Sequence, residues 1–240
     1  MKLSEPVKVY LNHPASCPYL PDREEQRILI PLSHDAAVAQ EQTSFFTRLG
    51  FRRSQNMLYR PQCPSCMACV SLRILANDFR AASTQAKIHR RNSDLIWREI
   101  PLADCAAQLY GLFRSYQLAR HSSSDMARFS DDDFASLLQP AAAGNTCFTL
   151  SDAESGAVIG AILADRTDDG FSAVYSFYDP AQTVRSLGTE LVLRLIDQAQ
   201  SEKLPYIYLG YWIADCGKMN YKNKFRPAEI LSADGWQPLI

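Results

Sequence analysis

Between Asn145 and Pro180 three apolar runs follow one another, NTCFTLS, AVIGAILADR and FSAVYSFYDP, divided by the turn residues Glu154–Gly156 and Asp168–Gly170. Turns this short fold each strand back on the one before it, so the runs predict an antiparallel meander. The stretch LGTELVLRLIDQAQ has helical periodicity and predicts a long amphipathic helix, and LPYIYLGYWI then predicts another strand. Upstream, PLADCAAQLYGLFRSYQLARH sets Leu102, Cys105, Leu109, Leu112, Tyr116 and Ala119 on one helical stripe. Ser130 with Asp133 three residues later forms a capping-box pattern, opening a short helix to Leu138. The C-terminal part reads as a short helix at KMNYKNKF and a turn-rich tail.

The first hundred residues have a different rhythm. Residues 1–22 are rich in turn formers, and SFFTRLGFRRSQNMLYRP predicts a helix ending at Gly50 and a strand ending before Pro61. VSLRIL alternates like a strand, and AASTQAKIHRRNSDL carries Lys87, Arg90 and Arg91 at helical spacing, which makes one helix face positive. Pro101 marks the expected boundary between an N-terminal unit, residues 1–100, and a C-terminal unit, residues 101–240.

Charge divides along nearly the same line. From Thr43 to Arg98 there are ten basic residues against two acidic ones, a net +8, which leaves −9 elsewhere in a chain of net charge −1. That asymmetry points to a polyanionic partner for the basic part, or to arginines solvated on unrelated faces. The start, MKLSEPVKVYLN, lacks the apolar run of a secretory signal, and no window reaches the ~20 apolar residues of a membrane span. With seven cysteines, an odd number at scattered spacing, the expectation is reduced thiols in a cytoplasm and no membrane partner.

Three of those cysteines, Cys63, Cys66 and Cys69, fall within PQCPSCMACVSL, and Cys17 is the one obvious fourth thiol. Four thiolates would satisfy a tetrahedral zinc or an iron–sulfur cluster. A redox couple lacks the strand–helix context of such motifs. The third reading is a proline-bounded turn whose small apolar thiols pack beneath the basic surface.

The order of elements resembles the Gcn5-related acyltransferase fold: two helices, a meander, a glycine-started helix, one more strand, then Tyr-x-x-x-Phe. The fold class implied is α+β, a mostly antiparallel mixed sheet flanked by helices, with a smaller cysteine-containing N-terminal domain. In that fold a strand end splays from its neighbour beside a helix N-terminus, whose unpaired N–H groups suit an anion. Here the junction falls at Tyr178-Asp179-Pro180 through Arg185, Ser186, Gly188 and Thr189. Users of acetyl-CoA place a small residue where this chain has Glu190, and a carboxylate beside a pyrophosphate is unfavourable, so CoA is not the expected donor.

A closer resemblance spans nearly the whole chain. CPYLPDREEQ, GFRRSQNMLYRPQCPSCMACVSLRI, RRNSDL, RH followed by DMARF, VYSFYDP, RSLGTELVL, PYIYLGYW and KMNYKNKFRPAEIL with a terminal GW resemble the bacterial leucyl-tRNA–protein transferases, relatives of the eukaryotic arginyl enzymes. The resemblance implies transfer of leucine from leucyl-tRNA to the α-amine of proteins beginning with Asp or Glu, which marks them for N-degron proteolysis. An arginyl donor with the same acceptor, an acetyl-CoA N-acetyltransferase and a non-catalytic tRNA-binding module are the alternatives; no DNA partner is implied.

On that reading the expected donor and tRNA contacts are Arg52, Arg53, Arg90, Arg91, Arg185, Ser186, Gly188 and Thr189. Asp179 and Tyr178, at the end of the splayed strand, would orient the amine or relay its proton. The acceptor carboxylate calls for cations: Arg120 with His121, or Lys218 and Lys222 beside Tyr221, with Tyr211 and Trp212 stacking nearby. Transfer from an activated ester requires no cofactor. The relatives' cysteine-ligated metal makes structural zinc or an iron–sulfur cluster one candidate guest of Cys17, Cys63, Cys66 and Cys69, although Leu20 stands where the relatives' first motif has its second cysteine.

Overall fold

The computed structural model describes residues 3–138 and 144–240. The chain opens with strands β1 (Tyr10–Leu11), β2 (Ala15–Ser16), β3 (Glu24–Glu25) and β4 (Arg27–Pro31), then helix α1 (Ala36–Arg48) and the hairpin β5 (Arg52–Ser54) and β6 (Met57–Pro61). Strands β1, β4, β6 and β5 form a four-stranded sheet in that order, while β2 and β3 pair separately. Asp35 caps α1 by accepting from the amides of Ala37 and Val38. The helix buries Ala39 and Phe46 against Ile30, Phe51 and Leu58 of the sheet.

The rest of the chain runs β7 (Val70–Leu75), α2 (Ser83–Arg91), β8 (Leu95–Ile100), α3 (Leu102–Arg120), α4 (Asp131–Leu138), β9 (Asn145–Asp152), β10 (Val158–Thr167), β11 (Gly170–Tyr178), α5 (Leu187–Ser201), β12 (Tyr206–Trp212), β13 (Ala228–Ser232) and β14 (Gly235–Pro238). Eight of these strands form one mixed sheet, ordered β14-β13-β7-β12-β11-β10-β9-β8. The expected meander is β9–β10–β11, antiparallel throughout, and α5 carries the chain across to β12, which runs parallel to β11. The sheet draws strands from both sides of residue 100, because β7 and β8 occupy an inner position and an edge.

Strand alternation explains the two cores. Phe148, Leu150 and Ile162 face α5, with Leu191, Leu195 and Ile196. Their neighbours Cys147, Ala161 and Leu163 face α3 and α4, with Leu109, Phe113 and Phe134. The capping box at Ser130 and Asp133 forms as expected, each residue bonding the other's backbone amide.

Two sequence expectations are corrected. The tail is a hairpin, β13–β14, whose strands AEILS and GWQP carry too little alternation to register. KMNYKNKF is two short 3₁₀ turns, Gly217–Met219 and Lys222–Lys224, rather than one helix. Its like-charged lysines and two asparagines disfavour a continuous α-helix.

The two sheets are joined by charge. Arg53 of β5 meets Asp165 of β10 at 2.8 and 3.0 Å through Nε and at 2.8 Å through a terminal nitrogen. The two side chains are 3% and 2% exposed. The expectation that Arg53 contacts tRNA is therefore overturned: its guanidinium is sealed between the sheets and neutralised there. Arg53→Ala leaves Asp165 as an unpaired buried charge, and urea unfolding at pH 7 should show a loss of about 3–5 kcal/mol. An unchanged midpoint would show that the pair does not hold the sheets together.

Candidate active site

Strands β11 and β12 pair only at Gly170↔Tyr206, Phe171↔Ile207 and Ser172↔Tyr208. Beyond that point they separate, and each is irregular where it does so. Against β10, the register of β11 shifts between Ala173 and Tyr175. Against β7, the register of β12 shifts between Tyr208 and Gly210. The carbonyls of Ala173 and Val174 thus lose a strand partner, and both accept instead from one terminal nitrogen of Arg52, at 2.7 and 3.0 Å. The Arg52 side chain reaches this notch by crossing Gly210, where a Cβ would stand 1.5 Å from its other terminal nitrogen. Gly210 also has φ +71°, so both backbone and space require glycine. Arg52 is thereby a lining of the notch, not the surface tRNA contact its sequence position implied.

Around the open end of the notch stand aromatic rings and cations. Tyr178, the last residue of β11, packs edge-on against Tyr116 of α3 at 4.9 Å, and Tyr116 meets His121 at 5.5 Å. The Arg120 guanidinium lies 6.0 Å from the Tyr178 ring centre. On its other side Tyr178 faces the first turn of α5: a Cβ on Gly188 would stand 3.0 Å from the ring. Tyr221, half exposed, lies within electrostatic reach of both Arg52 and Tyr178. The expected acceptor residues Arg120, His121 and Tyr221 therefore come together with Tyr178, although they derive from distant parts of the chain.

Lys222 lies beneath Tyr221 and is 9% exposed. Its ammonium donates to the Tyr211 carbonyl at 2.6 Å, and no carboxylate pairs with it among the described residues. Burial, then the nearby Arg52 charge, lowers its pKa from the ordinary 10.5 to about 7. Tyr116 is the site residue that sequence reasoning missed, having been read as core; its position one helical turn before Arg120 was the available signal.

Other expected site residues serve the fold. The Asp179 carboxylate accepts from the Ala181 amide at 2.9 Å and from the Gln182 side chain at 3.4 Å, forming the turn into α5. The Tyr211 ring is buried and its single phenolic O–H lies between the carbonyls of Tyr59, at 2.8 Å, and Gly50, at 3.0 Å, so it does not reach the cleft. Trp212 packs against the core, with its indole N–H buried and unpartnered.

The N-terminal turn of α5 is tied to α2 rather than left open. Arg185 makes a two-point pair with Asp94 at 2.9 and 2.8 Å, and Arg91 donates to the Val184 carbonyl. Ser186 sits at the helix start with φ 54° and makes no side-chain cap, and Thr189 follows in the first turn. Glu190 is fully buried and turns toward α2, bonding Arg194 at 2.7 Å and His89 at 3.2 Å. It does not face the space a pyrophosphate would need, so the sequence argument from that carboxylate gives way to the filled notch. Arg90 remains exposed on α2, and Lys218 is exposed beyond β12.

The cysteines Cys17, Cys63, Cys66 and Cys69 line one surface groove of about 940 Å³ on the far side of Tyr211. Cys63 and Cys66 face each other across an isolated antiparallel bridge. Burial, reinforced by the other three sulfurs, pushes the Cys69 thiol up to about 12. All seven cysteines are free. Among the described residues no three His, Cys, Asp or Glu side chains are placed to hold a metal ion.

The lowered pKa of Lys222 has a stability consequence whose sign is fixed. Between pH 7 and 10.5 the folded state binds fewer protons here than the unfolded chain, so stability rises with pH across that window. Lys222→Met should therefore stabilise the fold at pH 7 and below, by roughly a few kcal/mol at about 1.4 kcal/mol per tenfold change in proton affinity. The gain should vanish near pH 10.5. Equal melting temperatures for the two proteins at pH 6 would refute it.

Comparison with known proteins agrees with this geometry. Residues 15–87 match the model for the N terminus of arginine-tRNA-protein transferase, and residues 108–232 match that for its C terminus. An aspartate/glutamate leucyltransferase of Granulibacter bethesdensis is 39% identical over 238 residues, covering 99% of this chain and 87% of that protein. One of Parvibaculum lavamentivorans is 41% identical over 228 residues, covering 95% and 93%. Among solved structures, L-PGS from Bacillus licheniformis shares the fold, with a TM-score of 0.52 and 11% identity over 83% of this chain and 63% of that one. With the mixed sheet, its splayed strands and near-complete sequence coverage in agreement, the chain belongs to the aspartate/glutamate leucyltransferase family of aminoacyl-tRNA–protein transferases.

Proposed function

We propose that this enzyme transfers leucine from leucyl-tRNA to the α-amine of proteins whose first residue is Asp or Glu. The observation that carries the reading is the occupied notch. Arg52 fills the opening between β11 and β12 where an acyltransferase of this fold would seat the arm of a CoA thioester. An acyl donor must then approach from outside, over Tyr178 and the first turn of α5.

The basic face of α2 gives such a donor its approach. Lys87 and Arg90 are exposed there, and Arg91 fastens α2 to Val184, just before α5. A tRNA held along α2 by its phosphates brings its 3′ end toward Gly188 and Tyr178. The acceptor amine attacks the ester carbonyl, a C–N bond forms, the C–O bond to the ribose breaks, and one amine proton ends on the leaving 3′ oxygen. The ester is already activated and the amine is partly neutral near pH 8, so positioning supplies most of the catalysis and no cofactor is needed. Tyr178, between the α5 turn and the Tyr116–His121 wall, is the group placed to pass that proton.

Incubation with leucyl-tRNA and peptides beginning with Asp, Glu or Ala should add one leucine to the first two and none to the third, by mass spectrometry. No addition to the Asp and Glu peptides, with leucyl- and arginyl-tRNA alike, would overturn the proposal. Tyr178→Phe keeps the ring contacts and removes only the phenol, so kcat should fall about tenfold or more with little change in either KM. Asp179→Asn retains an acceptor for the Ala181 amide and should leave kcat within about threefold. The reverse order of effects would return the proton relay to Asp179.

A further inference from the structure

We infer that Arg52 and Lys222 together form the seat for the side-chain carboxylate of the acceptor's first residue. This rests on the transfer reaction proposed above and assigns its acceptor selectivity to two side chains.

The argument begins with unmatched charge. The other buried cations among the described residues are matched, Arg53 by Asp165 and Arg73 by Glu229. At the notch the pattern fails. Arg52 is bonded to two backbone carbonyls and Lys222 to one, and neither has a carboxylate partner among the described residues. Two cations within electrostatic reach of each other, Lys222 buried and Arg52 half-buried, repel and lose hydration, which is unfavourable unless an anion joins them. The fold keeps them together at the base of the cleft that Tyr178 and Tyr221 overlook.

Arg52 fills the notch between β11 and β12, so an anion meets the pair at the open end, above the ladder from Gly170 to Ser172, and that approach selects it. A carboxylate at the tip of a side chain enters end-on, and its two oxygens match a guanidinium and an ammonium. A tRNA phosphodiester continues as chain on both sides and suits the open face of α2 instead. The flexible Lys222 stem accommodates the one-methylene difference between Asp and Glu. A neutral Gln or Asn would leave both cations unmatched, and a site built on buried charge rejects such isosteres strongly.

The experiment compares kcat/KM for otherwise identical peptides beginning with Glu and with Gln, in the intact enzyme, Lys222→Met and Arg52→Gln. The preference for Glu over Gln should fall roughly tenfold to a hundredfold in each variant, as expected for loss of a hydrogen bond to a charged group. The KM for leucyl-tRNA should stay unchanged. An unchanged preference with both peptides slowed alike would overturn the inference and leave the pair a purely structural role. An unchanged preference with a raised KM for leucyl-tRNA would assign the pair to a phosphate. Lys222→Met is expected to fold at least as well as the parent, so it decides alone if Arg52→Gln does not fold. Calorimetric binding of the Glu and Gln peptides separates the two proposals. A Glu preference lost in Lys222→Met supports the seat even if no transfer occurs, whereas transfer to Glu without any such preference overturns the seat and leaves the reaction standing.

Discussion

Everything distinctive about this cleft depends on Arg52 bridging two strands that no longer pair. Backbone carbonyls removed from water need donors, and beyond Ser172 the usual donor, the neighbouring strand, has moved away. One guanidinium nitrogen serves the Ala173 and Val174 carbonyls together, which stabilises the splay. The same side chain keeps the opening from being empty, and its charge lowers the proton affinity of Lys222. Gly210 is the reciprocal condition, since any side chain there would occupy the path of the guanidinium.

The sequence made the periodic parts of this architecture legible. The meander, the helix over 187–201 and the capping box at Ser130 each follow from spacing within a few neighbouring residues. Elements defined by distant partners were not legible. Strand β8 and the β13–β14 hairpin hold their places through β9 and β7, contacts no local pattern encodes. The site behaved the same way. That Tyr178 stands at the end of a strand beside a helix start was readable, whereas the difference between Arg52 and Arg53 was not. Adjacent arginines of one strand point to opposite faces, so one enters the notch and the other meets Asp165. Which face is which depends on the second sheet, more than a hundred residues away.

The chain also separates charges that hold structure from charges available for binding. Those that fasten elements are matched with short bonds, as Arg185 with Asp94 binds the α5 loop to the turn between α2 and β8. Those near Tyr178 and Tyr221 are unmatched or bonded only to backbone. An unmatched buried ammonium weakens the fold, and natural proteins retain such groups where function needs them. At the aromatic wall of Tyr116, Tyr178 and His121 the cation is Arg120, 6.0 Å from the Tyr178 ring centre.

The position of β7 in the large sheet bears on how the molecule is assembled during synthesis. Its two neighbours, β12 and β13, follow it by more than a hundred residues, and the ladders Leu75↔Tyr206 and Ala228↔Ile74 close only once those segments are made. Long closures of this kind are the slow steps of folding. Until they form, the apolar residues Leu72 and Ile74 have no partners, and neither half of the polypeptide holds a complete centre of the sheet. A nascent chain of this topology must therefore keep an aggregation-prone strand waiting while more than a hundred further residues are made. Cutting the protein near residue 100 would leave the four-stranded sheet whole and divide the eight-stranded one, parting β7 and β8 from their partners.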